Sequence, residues 1–231
     1  MLTPFVALRI RPPTNQDSTS IPVRFQRSII QATSPTTVTI EAVSPSLASA
    51  GAPSVPTGPA AKKQAFTFDQ VHGPSTTQYE MFESTTQPLI SRFIEGFNCT
   101  ILAYGQTSSG KTFTMTGVDL DADPLDPNNR MGIIPRAVSN IFAKSNQLKE
   151  EKRGAWTYSL KASFIELYNE DLIDLLGTDE ATGAKREVQI REDKDGHIIW
   201  GGLREVNVRN AHEVMRCDTT NTDQRCAVFL H

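Results

Sequence analysis

The sequence predicts an α/β fold, and three observations carry that expectation. A short apolar run at residues 99–104, CTILAY, leads into a glycine-bounded loop and then into a helix start at residues 111–116, the strand–loop–helix order of an α/β unit. Stretches with strand alternation, at residues 65–71 and 158–168, are interleaved with stretches of helical spacing. The 231 residues suffice for one large domain, since a chain of this size buries roughly 70% of its unfolded surface.

Taken in order, residues 5–10 read as a short buried strand that Pro12 and Pro13 close, because proline lacks the ladder donor. A second β-prone stretch follows at 37–43. Residues 44–60, SPSLASAGAPSVPTGPA, are almost entirely Ser, Pro, Ala and Gly, too poor in apolar surface to offset the entropy of ordering. They are expected to be a disordered insertion. What precedes them is too small to hold a core, so the strands on either side should share one sheet edge. Residues 65–71, AFTFDQV, alternate as a strand. From Gln78 onward, Tyr79, Phe82, Leu89 and Phe93 fall near one helical face, with Pro88 marking a kink or a helix start. Gly96 stops the helix, and residues 99–104 are expected as a buried strand of the sheet.

An acidic loop at 118–130 precedes GIIPRAVSNIF, where Pro135 suits a first helical turn. Residues 158–168 predict a long strand with Tyr158, Leu160, Ala162 and Phe164 on one face. Residues 170–176 predict a short helix capped by Gly177. Short strands are expected between 187 and 208, and Asn210 with Glu213 three residues on forms a helix-start signature.

Charge and composition exclude several function classes. With 23 Lys+Arg against 26 Asp+Glu the net charge is −3, which excludes a purely electrostatic nucleic-acid binder. Cys99, Cys217 and Cys226 form neither a disulfide framework nor paired zinc half-sites, so a reduced, intracellular compartment is expected. The apolar start is too short for a signal segment, and no run approaches the roughly 20 apolar residues that span a membrane. Asp119, Asp121 and Asp123 resemble the start of a calcium loop, but Pro124 and Arg130 occupy the positions that need Gly and Glu. His72, His197, His212 and His231 lack metal-ligand spacing.

The motif that carries chemistry is Gly105-Gln106-Thr107-Ser108-Ser109-Gly110-Lys111-Thr112, a phosphate-binding loop pattern in strand–helix context. Gly105 and Gly110 permit backbone angles closed to other residues, so that successive N–H groups can turn inward on phosphate oxygens. Lys111 supplies a point charge to the outer phosphates and is the candidate catalytic group, and the Thr112 hydroxyl is placed to ligate Mg²⁺. A nucleoside triphosphate with Mg²⁺ is therefore the expected ligand.

ILAYGQTSSGKTFTMTG, residues 101–117, resembles the phosphate-loop segment of the kinesin motor domain. ALRIRPP, FTFDQV followed by Gln78 and Phe82, GIIPRA, SFIELYNEDLIDLL and VQIRED agree in the same order, and QIRED is similar to the chromokinesin branch. The resemblance runs from about Phe5 to Met215 and implies a central mixed sheet flanked by helices, incomplete at the C-terminus. The expected division is a partial motor domain over 1–215 and a divergent tail over 216–231.

The resemblance further implies that the nucleotide is ATP, that Arg9, Arg11 and Pro12 line the adenine side of the pocket and that Phe82 stacks on the base. On spacing alone, Arg9 and Arg11 would read as a solvated strand end and Phe82 as a core residue. It implies microtubules as partner and a cytoplasmic, cytoskeletal location, without nucleic-acid or membrane contact; the dimerisation region is expected to be absent, since no heptads occur. The family's two switches, Asn-x-x-Ser-Ser-Arg-Ser-His and Asp-x-Ala-Gly-x-Glu, do not occur in the 231 residues. Since phosphoryl transfer depends on groups positioned around the γ-phosphate, the chain is expected to hold ATP and hydrolyse it poorly. Open sheet edges are expected too, and hence low stability; cooperative thermal unfolding well above room temperature would overturn that expectation.

Overall fold

The computed structural model of the protein describes residues 4–13, 29–42, 62–119, 122–178, 185–218 and 226–230. The expected insertion at 44–60 lies outside them. The N-terminal part holds five strands: β1 (Ala7–Arg9), β2 (Ile30–Ala32), β3 (Thr37–Ala42), β4 (Lys62–Thr67) and β5 (Gln70–His72). β1 and β5 pair in parallel, with Leu8 opposite Val71. β2, β3 and β4 form a separate antiparallel sheet in which Val38 stands opposite Phe66. The strands that flank the insertion thus do pair, Ala42 with Lys62.

The stretch at 65–71 is two strands, broken at Phe68 and Asp69. The break has a cause: Asp69 is diverted onto β1's approach, its Oδ2 accepting from the Val6 N–H at 2.8 Å and its own N–H donating to the Val6 carbonyl at 3.1 Å. β1 is also less buried than its sequence suggests, with Phe5 and Val6 exposed, since it has one strand partner among the described residues.

Helix α1 (Gln78–Thr85) opens on a capping box in which the Thr77 Oγ1 accepts from the Glu80 N–H and the Glu80 carboxylate accepts from the Thr77 N–H. Helix α2 (Gln87–Ile94) restarts after Thr86 with Pro88 in its first turn, where a missing N–H costs nothing. Gly96, at φ +95°, ends it. Helix α3 (Lys111–Met115) and helix α4 (Ile133–Glu151) follow.

The remaining strands are β6 (Leu160–Tyr168), β7 (Asp171–Thr178), β8 (Lys185–Glu187), β9 (Gln189–Glu192), β10 (Ile198–Gly201) and β11 (Val206–Val208), then helix α5 (Ala211–Asp218) and strand β12 (Cys226–Leu230). β7 and β11 pair along one edge of β6, and β12 pairs antiparallel along the other, from Ala162 to Glu166. The long strand expected at 158–168 is therefore the axis of this sheet. Its buried positions Leu160, Ala162 and Phe164 meet Phe82, Ile90, Val138, Ile141, Phe142, Val208 and Val214 in one core cluster. Each of these side chains larger than alanine, fully buried, contributes about 1.5–3 kcal/mol.

Two expectations are corrected. Residues 170–176 are not a helix but the start of β7. Leu172, Ile173, Leu175 and Leu176 satisfy helical spacing, yet Asn169 and Glu170 adopt φ +50° and +75°, the two-residue hairpin turn that folds Asp171 back onto Tyr168. Asp174, wholly buried, then fixes the register: its carboxylate accepts from the Leu176 and Arg204 N–H groups, each at 2.9 Å.

Residues 99–104 are not a buried strand either. They are extended but pair with no strand among the described residues, and Leu102 and Tyr104 are 84% and 96% exposed. An apolar run becomes a buried strand only when neighbours flank it on both sides, and here none does. The described strands fall into four separate sheets rather than one continuous one.

Candidate nucleotide-binding site

The loop at 105–112 begins where the extended segment ends. Gly105 takes φ +158°, and a Cβ there would stand 2.6 Å from Ser109 Oγ, which would have to rotate away. Ser108 takes φ +63° and Gly110 φ +99°, the left-handed angles that turn a loop on itself and start α3. The Ser109 N–H donates to the Gln106 carbonyl at 3.2 Å, while the N–H groups of Gln106, Thr107, Ser108 and Gly110 donate to no group among the described residues. These are free donors on one short curve. Lys111 is folded back across them, its Nζ donating to the Gly105 and Gln106 carbonyls at 2.9 Å each. The exposed Thr112 stands one residue into the helix.

α3 is tied to its surroundings just past its C-terminal end. The Gly132 N–H donates to the Thr116 carbonyl at 2.9 Å, and Gly117 bridges Met131. A side chain on either glycine would strike backbone atoms of the other segment. The acidic loop between them is held from the other side by Arg136, the largest wholly buried side chain among the described residues, which sits in the first turns of α4.

Arg9 lies near the loop but is committed. Its Nη1 donates to Gln78 Oε1 at 2.7 Å and to Thr114 Oγ1 at 2.9 Å, and its Nη2 to the Thr76 carbonyl at 3.4 Å. Its Cζ sits 5.3 Å from the Phe113 ring centroid. Burial holds its pKa below the ordinary arginine value. Arg9 and Arg11 share a cavity of about 470 Å³ with Gln106, Ser108 and Ser109; its far wall is apolar, formed by Ile30, Val38, Ile40, Phe66 and Phe68. Pro12, exposed, follows Arg11 at the strand's end.

Phe82 departs from its expected place. It is 3% exposed and packs in the core cluster with Ile90 and Val138, so it presents no ring face to the cavity. Helical spacing alone had assigned it correctly to the core. Phe113, 36% exposed, is a partly open aromatic ring beside Arg9, although it does not itself line the cavity. The sequence signal for it was its position two residues after Lys111. Gln78 and Arg136 were likewise missed as polar nodes: Gln78 bonds to segments distant in the chain, and Arg136 gathers loop carbonyls that no spacing pattern marks.

His72, at the end of β5, is pushed below the usual histidine pKa by burial and then by the nearby Arg9 charge, with Glu80 opposing. Its neutral form is thus favoured in the folded state. Its contribution to stability is present above the unfolded value of 6.5 and is lost as pH falls through the lower folded pKa. The unfolding midpoint is expected to drop between about pH 7 and pH 5, and by less in His72→Phe, as denaturant titrations at the two pH values would show.

Asp193, Asp195 and His197 come within 4.8 Å of one another in the β9–β10 turn, a grouping that sequence spacing did not suggest. The Asp193 carboxylate there accepts from the Asp195 and His197 N–H groups. No helix among the described residues is long and apolar enough to cross a membrane.

Residues 9–227 match the family model for the kinesin motor domain. The chain belongs to the kinesin motor family. Chromosome-associated kinesin KIF4 of Gallus gallus is 40% identical over 154 residues, which are 67% of this chain and 12% of that protein. Kinesin-like protein KIN-5C of Nicotiana tabacum is 39% identical over 158 residues, 64% of this chain and 15% of that protein. A solved fast kinesin superposes with a TM-score of 0.71 at 26% identity, covering 94% of this chain and 52% of that one. The kinesin chain described here therefore spans about an eighth to a seventh of the length of these two relatives. Its strands and helices, although in separate sheets, carry the kinesin motor fold, as the resemblance implied.

Proposed function

We propose that this kinesin chain binds Mg-ATP on the loop at 105–112 and is the nucleotide-holding part of a motor that works on microtubules. The observation that carries the reading is the run of free N–H donors at Gln106, Thr107, Ser108 and Gly110, spanned by the Lys111 ammonium. Free donors in one short loop beside a cation suit a polyphosphate. Lys111, now bonded to two loop carbonyls, exchanges them for outer phosphate oxygens. Thr112 is the residue that would hold Mg²⁺, which supplies charge neutralisation at the phosphates when bound. Arg11 and Pro12 lie on the base side, with Arg9 behind them, and Phe113 offers the ring face that Phe82 does not.

Titrating the full chain with Mg-ATP in a calorimeter tests the reading. One-to-one binding that disappears with Lys111→Ala is expected, and absence of binding in the unsubstituted chain overturns it. Phosphate release that rises on adding microtubules supports the motor part of the reading, and its absence would leave nucleotide binding alone. The partial motor domain over 1–215, the cytoskeletal location and the chromokinesin affinity belong to the same proposal, the last supported by the likeness to KIF4.

A further inference from the structure

α3 has five residues and none of them is buried. A helix that short is not self-sustaining, and core packing does not hold it. Polar contacts set its direction, and Gln78 is where they meet. Gln78 is 4% exposed. Its Oε1 accepts from Arg9 Nη1 at 2.7 Å, and its Nε2 donates to the Phe113 carbonyl at 2.5 Å and to the Arg130 carbonyl at 3.3 Å. One amide therefore joins β1, the helix after the phosphate loop, and the end of the acidic loop. Through Arg9 it also reaches Thr114 and the Phe113 ring.

We propose that Gln78 is a positioning residue for the nucleotide site, holding Arg9 and Phe113 in one fixed geometry so that the base end of the nucleotide meets a preset surface. This rests on the nucleotide reading above and names what sets that site's base side. The chemistry asks for an amide. Only an amide offers an acceptor to a cation at one end and two donors to carbonyls at the other; a carboxylate would turn lone pairs on both carbonyls, and a thioether would serve neither side.

The test is calorimetric titration of the full chain and its variants with Mg-ATP and, separately, with Mg-tripolyphosphate, which has no base. In Gln78→Met, ATP affinity is expected to fall about tenfold, the size of one lost charged hydrogen bond, while tripolyphosphate affinity changes less than about twofold. In an Arg9→Met background the same substitution should cost little more, as residues acting through one another are not additive. Gln78→Glu keeps the acceptor for Arg9 and is expected to show the same selective loss, which keeps the test decisive if Gln78→Met does not fold. Equal losses for the two ligands, in step with a lower unfolding temperature, would mean a purely structural role and overturn the proposal. So would unchanged ATP binding in both variants. If the unsubstituted chain binds tripolyphosphate as tightly as ATP, the base-side role fails and the phosphate reading survives. If it binds neither, both fail.

Discussion

Lys111→Ala is expected to weaken Mg-ATP binding by roughly 30- to 4,000-fold, the equivalent of about 2–5 kcal/mol for losing one partner of a desolvated charge pair. The expected effect is large because Lys111 is the cation set across the loop, 2.9 Å from the Gly105 and Gln106 carbonyls. Without it, the phosphate charge would meet only neutral N–H donors there. The same substitution should leave folding nearly intact, since those carbonyls flank an open loop and can turn to water. Calorimetry for binding and thermal unfolding without ligand separate the two effects. An affinity loss below about threefold would show that the loop does not use Lys111 as phosphate-loop chemistry requires.

Arg136→Met is expected to destabilise the chain by roughly 2–4 kcal/mol, without touching the phosphate loop. Arg136 is 0% exposed, and all five of its N–H donors are used on one stretch of chain. Nε donates to the Met131 carbonyl, Nη1 to those of Pro124 and Asp126, and Nη2 to the carbonyl and Oδ1 of Asn129 at 3.2 and 2.6 Å. Its Cζ also lies 5.4 Å from the Tyr79 ring centroid, which ties the hub to α1. Burial holds its pKa below the ordinary value, the expected direction for a cation answered by carbonyl dipoles with no bonded carboxylate.

Methionine fills much of the volume and satisfies none of the carbonyls. Lysine, with three donors on a single point, should rescue little, because the fork geometry is what matches five acceptors. Denaturant titration reads the stability, and faster proteolysis within 122–131 reads the released loop. An unfolding midpoint within about 0.5 kcal/mol of the parent would refute the hub role.

The phosphate loop was legible because its chemistry is local. Two glycines, a lysine and a threonine at fixed spacing point to both backbone angles and ligand type, and the angle at Gly110 agrees, whereas the left-handed Ser108 was not foreseen. The helix start at Ala211 was legible for the same reason, since Asn210 with Glu213 is a short-range capping pair, while the start at Gln78 was read from apolar spacing alone. Residues 170–176 were misread because the run's apolar pattern fits two periods, and only the turn at Asn169 and Glu170 distinguishes them.

By itself, then, the sequence determined the kind of chain this is: an α/β kinesin motor segment with a phosphate loop at 105–112, helical stretches between strands, and a long strand over 158–168. Tertiary structure decided which side chains are available. It placed Phe82 in the core and left Phe113 partly open, drew Arg9 into bonds with Gln78 and Thr114, and left residues 99–104 without strand partners. The reason is physical: spacing along a chain encodes local backbone angles and faces, whereas burial and hydrogen-bond partners depend on segments that meet only after folding.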